Sequence, residues 1–255
     1  MVNKKIIAIT QARTGSSRFP KKILERINGR SLLEIHINRI KKSNLIDEII
    51  IATTESKKDD VIVELANSLM VKSFRGSEND VLDRFYNSVK PLKPDLVVRL
   101  TSDCTLIDAD LIDEIISSAL NKDLDYYSNI LYPTYPDGQD IEVFKFSSLK
   151  KAWESSNLDS DREHVTPYIK NNSTYMSNNL FTAENHEYKE DFNRVRMVVD
   201  YKEDFKVIAL LIQKLGEKAT WKEYAKLYLS DNNINSINFQ IKRNEGYKTL
   251  PSNDN

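Results

Sequence analysis

The chain has 255 residues, 40% of them hydrophobic and 29% charged, with a formal net charge of −1 and a single cysteine, Cys104. That balance excludes bulk attraction to nucleic acid or to an anionic membrane surface, and one cysteine excludes an internal disulfide framework or a Cys-based zinc cluster. With no apolar run near the ~20 residues that cross a bilayer and no signal-peptide pattern, the sequence is read as a cytoplasmic α/β protein with a substantial core.

Residues 6–10 form an apolar run that predicts a buried first strand, and residues 11–22 form the loop into which it empties. Leu32, Leu33, Ile37 and Ile40 recur at helical spacing from Ser31 onward. Residues 48–53 predict a second strand, and Val61, Leu65 and Leu69 a helix led by Asp59 and Asp60. A short strand is expected at 71–74. A helix carrying Val81, Leu82, Phe85 and Val89 follows, with Asn79 or Asp80 as its cap. Residues 95–100 predict another strand, and Leu111, Ile115 and Ala119 a helix capped near Asp108. Strands alternating with helices of this length imply βαβ units and a Rossmann-like, mostly parallel sheet flanked by helices.

The alternation breaks near residue 126. A loop is expected over 132–138, a strand over 141–144, a short helix over 149–153, a helix interrupted by Pro167 over 163–170, and an extended segment over 174–180. Residues 195–200 return to a buried strand and 205–215 to a long helix. This pattern reads as one domain over residues 1–235, carrying a small dimerisation and acceptor insertion at about 126–190. A polar tail follows over 236–255.

The chemistry starts in the first loop. Gln11-Ala12-Arg13-Thr14-Gly15-Ser16-Ser17-Arg18-Phe19-Pro20-Lys21-Lys22 gathers two arginines, two lysines and three hydroxyl residues at a strand end. Such a loop suits phosphate, which backbone N–H groups and cationic side chains can approach together. Asp103 follows the strand 95–100, and Asp200 closes the strand 195–199. Each aspartate alone equally suits a helix N-cap. In a parallel sheet, however, all carboxyl ends face one edge, where ligands bind. Two carboxylates beside a phosphate cradle describe a Mg²⁺–nucleotide site.

The spacing Gln11-Ala12-Arg13-x-x-Ser16-x-Arg18-x-Pro20-x-Lys22 resembles the N-terminal signature of the sugar-acid cytidylyltransferases. That group includes the CMP-sialic acid and CMP-Kdo synthetases, and the nearest branch is the spore-coat polysaccharide type. Four further blocks agree in order and spacing: Arg75 to Arg84, Arg99 to Cys104, Arg162 to Pro167, and Arg196 to Asp200. The tail segment Arg243-Asn244-Glu245-Gly246-Tyr247 also resembles this branch. Two positions depart from the common pattern. Gln11 stands where proline is usual, and Lys21 where glycine is usual, so Lys22 is the phosphate lysine the resemblance implies.

The resemblance also implies a fold, that of the nucleotide-diphospho-sugar transferases, and a set of roles. Gln11, Ala12, Arg13, Thr14, Gly15, Ser16, Arg18 and Lys22 would bind CTP, with Asp80, Arg84, Thr101 and Ser102 in support. Asp103 and Asp200 would hold Mg²⁺, and Arg13, Lys22, Asp103 and Asp200 would carry catalysis. Asp140, Glu142, Arg162 and His164 would meet the acceptor. The expected reaction is transfer of CMP from CTP to a sugar acid of the nonulosonic type, with release of pyrophosphate, by a homodimer in glycan synthesis. Tyr126, Tyr127, Tyr132 and Tyr135 would bury at the subunit contact, and His36 and His186 are read as structural. Three other readings stay open: a phosphorylated acceptor giving a CDP compound, a nucleotide-sugar glycosyltransferase, and a nucleotide-binding protein without chemistry.

Overall fold

A computed structural model describes residues 4–243 and 245. In chain order its elements are β1 (Ile6–Gln11), β2 (Arg26–Ile27), β3 (Arg30–Ser31), α1 (Leu32–Ile40), β4 (Glu48–Thr54), α2 (Asp60–Ser68), β5 (Lys72–Gly76), α3 (Val81–Val89), β6 (Leu96–Thr101) and α4 (Ala109–Lys122). They continue with β7 (Tyr126–Ser128), β8 (Ile141–Lys145), α5 (Phe146–Ser155), α6 (Asp159–His164), α7 (Pro167–Asn171), β9 (Ala183–Asn185), α8 (Lys202–Leu215), α9 (Trp221–Ser230) and α10 (Asn232–Asn235).

Seven strands make one sheet in the order β5-β4-β1-β6-β8-β7-β9. The first four are parallel, β8 runs antiparallel to β6 and to β7, and β9 is parallel to β7. Both faces are covered, which is why the central strands read as continuous apolar runs. Ala8, Val98 and Val143 pack under α1, α4 and α8 with Leu33, Ile112 and Ile208. Ile9, Val97 and Phe144 pack on the other face with Phe85 of α3 and Leu149 of α5. The predicted caps at Asp80 and Asp108 form, and Ser31, where the first helix is expected to begin, is a cap too: the side chains of Ser31, Asp80 and Asp108 accept backbone N–H groups in the first turns of α1, α3 and α4. Among the described residues, no helix is long and apolar enough to cross a membrane.

Five segments differ from the expectation. Residues 195–200 are extended and buried but join no sheet. Their backbone bonds to Asp137, and Val199 N donates to the carbonyl of Asp103 at 3.0 Å. The sheet is instead completed by β7, β8 and β9, so chain expected in an insertion belongs to the central layer. The stretch 174–180 opens with a 3-10 turn, Thr174–Met176, and only Ala183–Asn185 pairs as strand. Pro167 begins α7 at its first turn instead of interrupting one helix, and Val165 before it takes φ +73°. Finally, the expected tail starts inside the packed structure: Asn238 is buried, and its side-chain amide donates to Asp204. The expected likeness at Asn244, Gly246 and Tyr247 lies outside the described residues.

The four tyrosines also separate. Tyr126, Tyr127 and Tyr135 are buried within the chain, and Tyr135 sits in an aromatic cluster with His186, Tyr188 and Trp221. Only Tyr132 is exposed. Burial of all four at a subunit contact is therefore corrected: three are core residues of one protomer.

Candidate active site

The loop after β1 is pinned before it can bind anything. Ala12 N donates to the carbonyl of Ala52 on β4 at 3.1 Å. Both the amide and the hydroxyl of Thr14 donate to the buried carboxylate of Asp59, at 2.8 and 2.7 Å. Phe19 is buried edge-on against Phe205 of α8. Lys21 N returns to the carbonyl of Thr14 at 3.0 Å, and Lys21 takes φ +59°. A left-handed residue at this point explains why glycine is usual there. Thr14, expected to contact nucleotide, thus spends its amide and hydroxyl on anchoring the loop.

Every predicted phosphate cation of the loop is paired with a carboxylate. Arg13 Nη1 lies 2.8 Å from Glu78, just after β5. Arg18 Nη2 lies 2.9 Å from Asp200, and its guanidinium stands over the ring of Tyr201. Lys22 Nζ lies 2.8 Å from Asp200, 3.2 Å from Asp103 and 2.7 Å from the carbonyl oxygen of Val199. Burial opposes the Lys22 charge, but the carboxylates of Asp103 and Asp200 outweigh it and raise its pKa. Burial likewise opposes ionisation of Asp200, and Lys22 and Arg18 reverse this, so its pKa falls below the carboxylate norm. Asp103 and Asp200 therefore share one edge, as expected, although the segment before Asp200 is not a strand of the sheet.

Asp103 is braced from below. His36, wholly buried on α1, bridges the Thr10 hydroxyl at 3.0 Å and the carbonyl oxygen of Cys104 at 2.9 Å. Burial drives its pKa down to about 4. The Cys104 thiol is buried, its pKa is pushed up, and it contacts the Thr101 hydroxyl at 3.2 Å. It is a packing group.

The second wall is the turn from β5 into α3. Asp80 caps α3 by accepting from Asp83 N at 2.9 Å. Its other oxygen accepts from Arg162 Nε at 2.6 Å. Arg84 is buried, donates to the carbonyl of Ser77 at 2.6 Å and leaves its Nε without a hydrogen-bond partner. Desolvation, with Arg13 nearby, lowers its pKa to about 10. At the end of β1 the side-chain oxygen of Gln11 is also buried and unpartnered. A cleft of about 590 Å³ opens beside this wall, lined by Thr54, Ser56, Phe74, Arg75, Ser77 and Asn87.

The predicted acceptor residues do not form one open set. Glu142 is buried and holds Arg99 in an ion pair, and it accepts from Tyr126 and Thr166, each at 2.6 Å. Desolvation opposes its charge, yet Arg99, Lys170 and these donors pull its pKa down to about 2. Arg162 is committed to Asp80 and to the carbonyls of Trp153 and Ser156. Direct acceptor contact by Glu142 is therefore corrected, because both its oxygens are spent inside the fold; Arg162 commits its Nε and Nη1 while a quarter of its side chain is exposed. Asp140, partly exposed, pairs with Arg243. His164 is half-buried, and desolvation lowers its pKa. Sequence reasoning assigned no site role to Glu78, Arg99 or Arg243, and it read Asp59 only as leading a helix. Glu78, Arg99 and Arg243 stood within the matching segments, but nothing in one sequence marked their pairing.

Gly15 and Ser16 lie on the first loop, Thr101 ends β6, and Ser102 starts the turn that carries Asp103. An ideal Cβ on Gly15 would stand 3.4 Å from Glu78 Oε1, so the first loop passes close under the second wall. The donor chemistry around Lys22 Nζ is all oxygen: two carboxylates and a carbonyl converge on one cation. Such a set fits Mg²⁺, which takes oxygen ligands and commonly completes its shell with phosphate oxygens. Among the described residues no cluster of three or more acidic, His or Cys side chains could hold a metal alone. A metal there would depend on the substrate's oxygens.

A profile of the family described as cytidylyltransferase matches residues 7–234. An uncharacterized protein of Methanocaldococcus jannaschii is 46% identical over 207 residues, covering 80% of this chain and 81% of its own. The spore coat polysaccharide biosynthesis protein SpsF of Bacillus subtilis is 32% identical over 219 residues, covering 84% and 88%. Among solved structures, a cytidylyltransferase from Leptospira borgpetersenii superposes with a TM-score of 0.85 at 29% identity, covering 91% of this chain and 96% of the other. By sequence along nearly its whole length, and by fold, the chain belongs to the cytidylyltransferase family of nucleotidyltransferases.

Proposed function

We propose that the protein transfers CMP from CTP to a sugar acid, with release of pyrophosphate, in the synthesis of a surface glycan. The observation that carries this reading is the convergence of Arg13, Arg18 and Lys22 with Asp103 and Asp200 at one sheet edge. Family membership and the spore-coat name of one relative support it. The reaction belongs in the cytoplasm, where CTP is available.

In this reading Arg13, Arg18 and Lys22 take the triphosphate, and Asp103 and Asp200 hold Mg²⁺. Magnesium, when bound, supplies charge neutralisation at the phosphates. Phosphoryl transfers of this kind rest on positioning and charge more than on covalent help from the protein. The pinned loop fixes the α-phosphorus. A hydroxyl oxygen of the acceptor attacks it in line, its proton leaving to solvent, and the bond to the pyrophosphate oxygen breaks. The cationic side chains neutralise the charge that grows on the leaving group. The cytosine lies between the end of β1 and the β5–α3 wall, where Gln11 and Arg84 respectively carry unpartnered buried atoms. Asp140 and His164 are the acceptor residues we retain. A second copy covers the exposed Tyr175, Met176 and Leu180.

The test is a pyrophosphate-release screen that pairs CTP, UTP, ATP and GTP with sugar acids and sugar phosphates. Release with CTP and a sugar acid is expected, with loss in Asp103→Ala and Asp200→Ala folded as wild type. Turnover with normal Mg²⁺ dependence in Asp103→Ala would sink the metal assignment. Release only with sugar phosphates would point to a CDP product instead. Light scattering in solution tests the dimer.

A further inference from the structure

Arg13, Arg18 and Lys22 of the loop face three carboxylates, Glu78, Asp200 and Asp103, and these six groups cancel in charge. The pairs differ in how firmly they are held. Arg13 and Glu78 are 43% and 50% exposed, so solvent screens their attraction and little holds them together. Lys22 is only 12% exposed, and its ammonium is enclosed by oxygens from Asp103, Asp200 and Val199. No anion can take Lys22 without leaving two partly buried carboxylates facing each other. Asp200 also holds Arg18 at 2.9 Å and lies 3.8 Å from Arg196, but a cation that bridges Asp103 and Asp200 must displace the ammonium standing between them.

Resting on the phosphate and metal reading above, we propose that Lys22 is an internal stand-in for the divalent cation. It passes to the phosphates only when that cation takes Asp103 and Asp200, while Glu78 holds Arg13 until phosphate arrives. Partners exchange pairwise: carboxylates trade ammonium and guanidinium for metal, and the cations trade carboxylate for phosphate oxygen. Anion and metal binding are then mutually dependent, because each frees the groups the other needs. The exposed Arg13–Glu78 pair opens first, since it is the weakest. Glu78 becomes a positioning residue. It keeps Arg13 over the loop next to Gly15, and it competes with phosphate for the guanidinium.

The test uses the full chain with Mn²⁺ and inorganic tripolyphosphate as probes. Mn²⁺ binding without nucleotide is followed by electron paramagnetic resonance. Lys22→Met removes the internal charge and keeps the bulk, and it should bind Mn²⁺ about tenfold tighter than wild type, a conservative figure for one like charge withdrawn from the site. Equal or weaker Mn²⁺ binding by folded Lys22→Met would overturn the proposal. Should that variant not fold, calorimetry with tripolyphosphate in EDTA decides. Asp103→Asn/Asp200→Asn should bind the anion about tenfold tighter than wild type, and Glu78→Gln about threefold tighter, because each loosens a stored cation. Unchanged or weaker binding in both would be fatal. Neither probe contains cytidine or an acceptor, so these results stand apart from failure of the CTP reading, which shows in the nucleotide comparison and the pyrophosphate screen.

Discussion

Acid should destabilise this protein through one buried histidine, His36. Its ring is fully buried, and its two hydrogen bonds fix one neutral tautomer. Nδ1 faces a carbonyl, which can only accept, so Nδ1 carries the proton and Nε2 accepts from the Thr10 hydroxyl. Protonating Nε2 would turn the Thr10 hydroxyl from donor to acceptor and place a charge in the core, with Arg39 nearby adding repulsion. Its folded pKa, about 4, lies below the ordinary value of 6.5. The stabilisation is therefore complete above the unfolded pKa and is lost as pH falls through the folded one. Linkage gives a loss of about 2 kcal/mol by about pH 5 and about 3 kcal/mol by about pH 4. Full burial leaves no solvent screening to discount. Urea unfolding across this range, comparing wild type with His36→Asn, isolates the contribution from that of carboxylates common to both. The variant starts less stable and should lose that much less on acidification. Parallel loss in the two proteins would refute the reasoning.

Gly138→Ala should be among the most damaging single changes in the acceptor half. Gly138 takes φ +109°, and a Cβ there would meet the Met197 carbonyl carbon at 2.6 Å and Val198 N at 2.7 Å, both backbone. A loss of about 2–4 kcal/mol is expected from clash and strain together, and an unchanged urea midpoint would contradict it. Lys21→Gly relieves a left-handed lysine at φ +59° and should be neutral or up to about 1 kcal/mol stabilising in a thermal melt, whereas Lys21→Val should destabilise. In CTP titrations with Mg²⁺, Lys22→Ala should weaken binding far more than Lys21→Ala, and equal effects would mean the loop register is misassigned. Glu142→Gln withdraws a buried carboxylate facing Arg99 and Lys170 and should cost about 3 kcal/mol by chemical denaturation.

Much of the first half was legible because its signals are local. Runs such as residues 6–10 and 95–100 show strand by apolar continuity, and Ser31, Asp80 and Asp108 show helix starts by capping chemistry. The edge position of Asp103 was legible from the strand before it, whereas Asp200 reaches that edge on a segment that is not a strand of the sheet. What stayed hidden depends on long-range partners. Val195 to Val199 reads as strand because it is apolar and buried, but its hydrogen bonds go to Asp137 and the Asp103 loop. Periodicity reports burial and not the identity of the neighbour. For the same reason Glu142 and Arg162 read as polar groups open to an acceptor. A sequence shows that a residue can carry charge but not whether a partner far along the chain has claimed it. Helix α9 did carry a local signal, the capping box of Thr220 and Glu223, which the reading passed over.

The division into a nucleotide side and an acceptor side does not survive the contacts. Arg162, from the expected acceptor region, bonds the Asp80 that caps α3. Trp153 of α5 donates to Asp83 in the same turn at 2.8 Å. One helical turn on, Arg84 holds the carbonyl of Ser77, and the adjacent Glu78 holds Arg13 of the phosphate loop. The loop that receives phosphate and the region assigned to the acceptor are thus joined by an unbroken run of short polar contacts across α3. Most of these contacts are partly buried, so moving one partner leaves a polar group wanting and makes an intermediate position costly. The two walls are thus braced against each other, with the exposed Arg13–Glu78 pair as the weakest link. That follows from what Arg162 does in this fold: it couples the two halves of the site through Asp80 instead of serving either half alone.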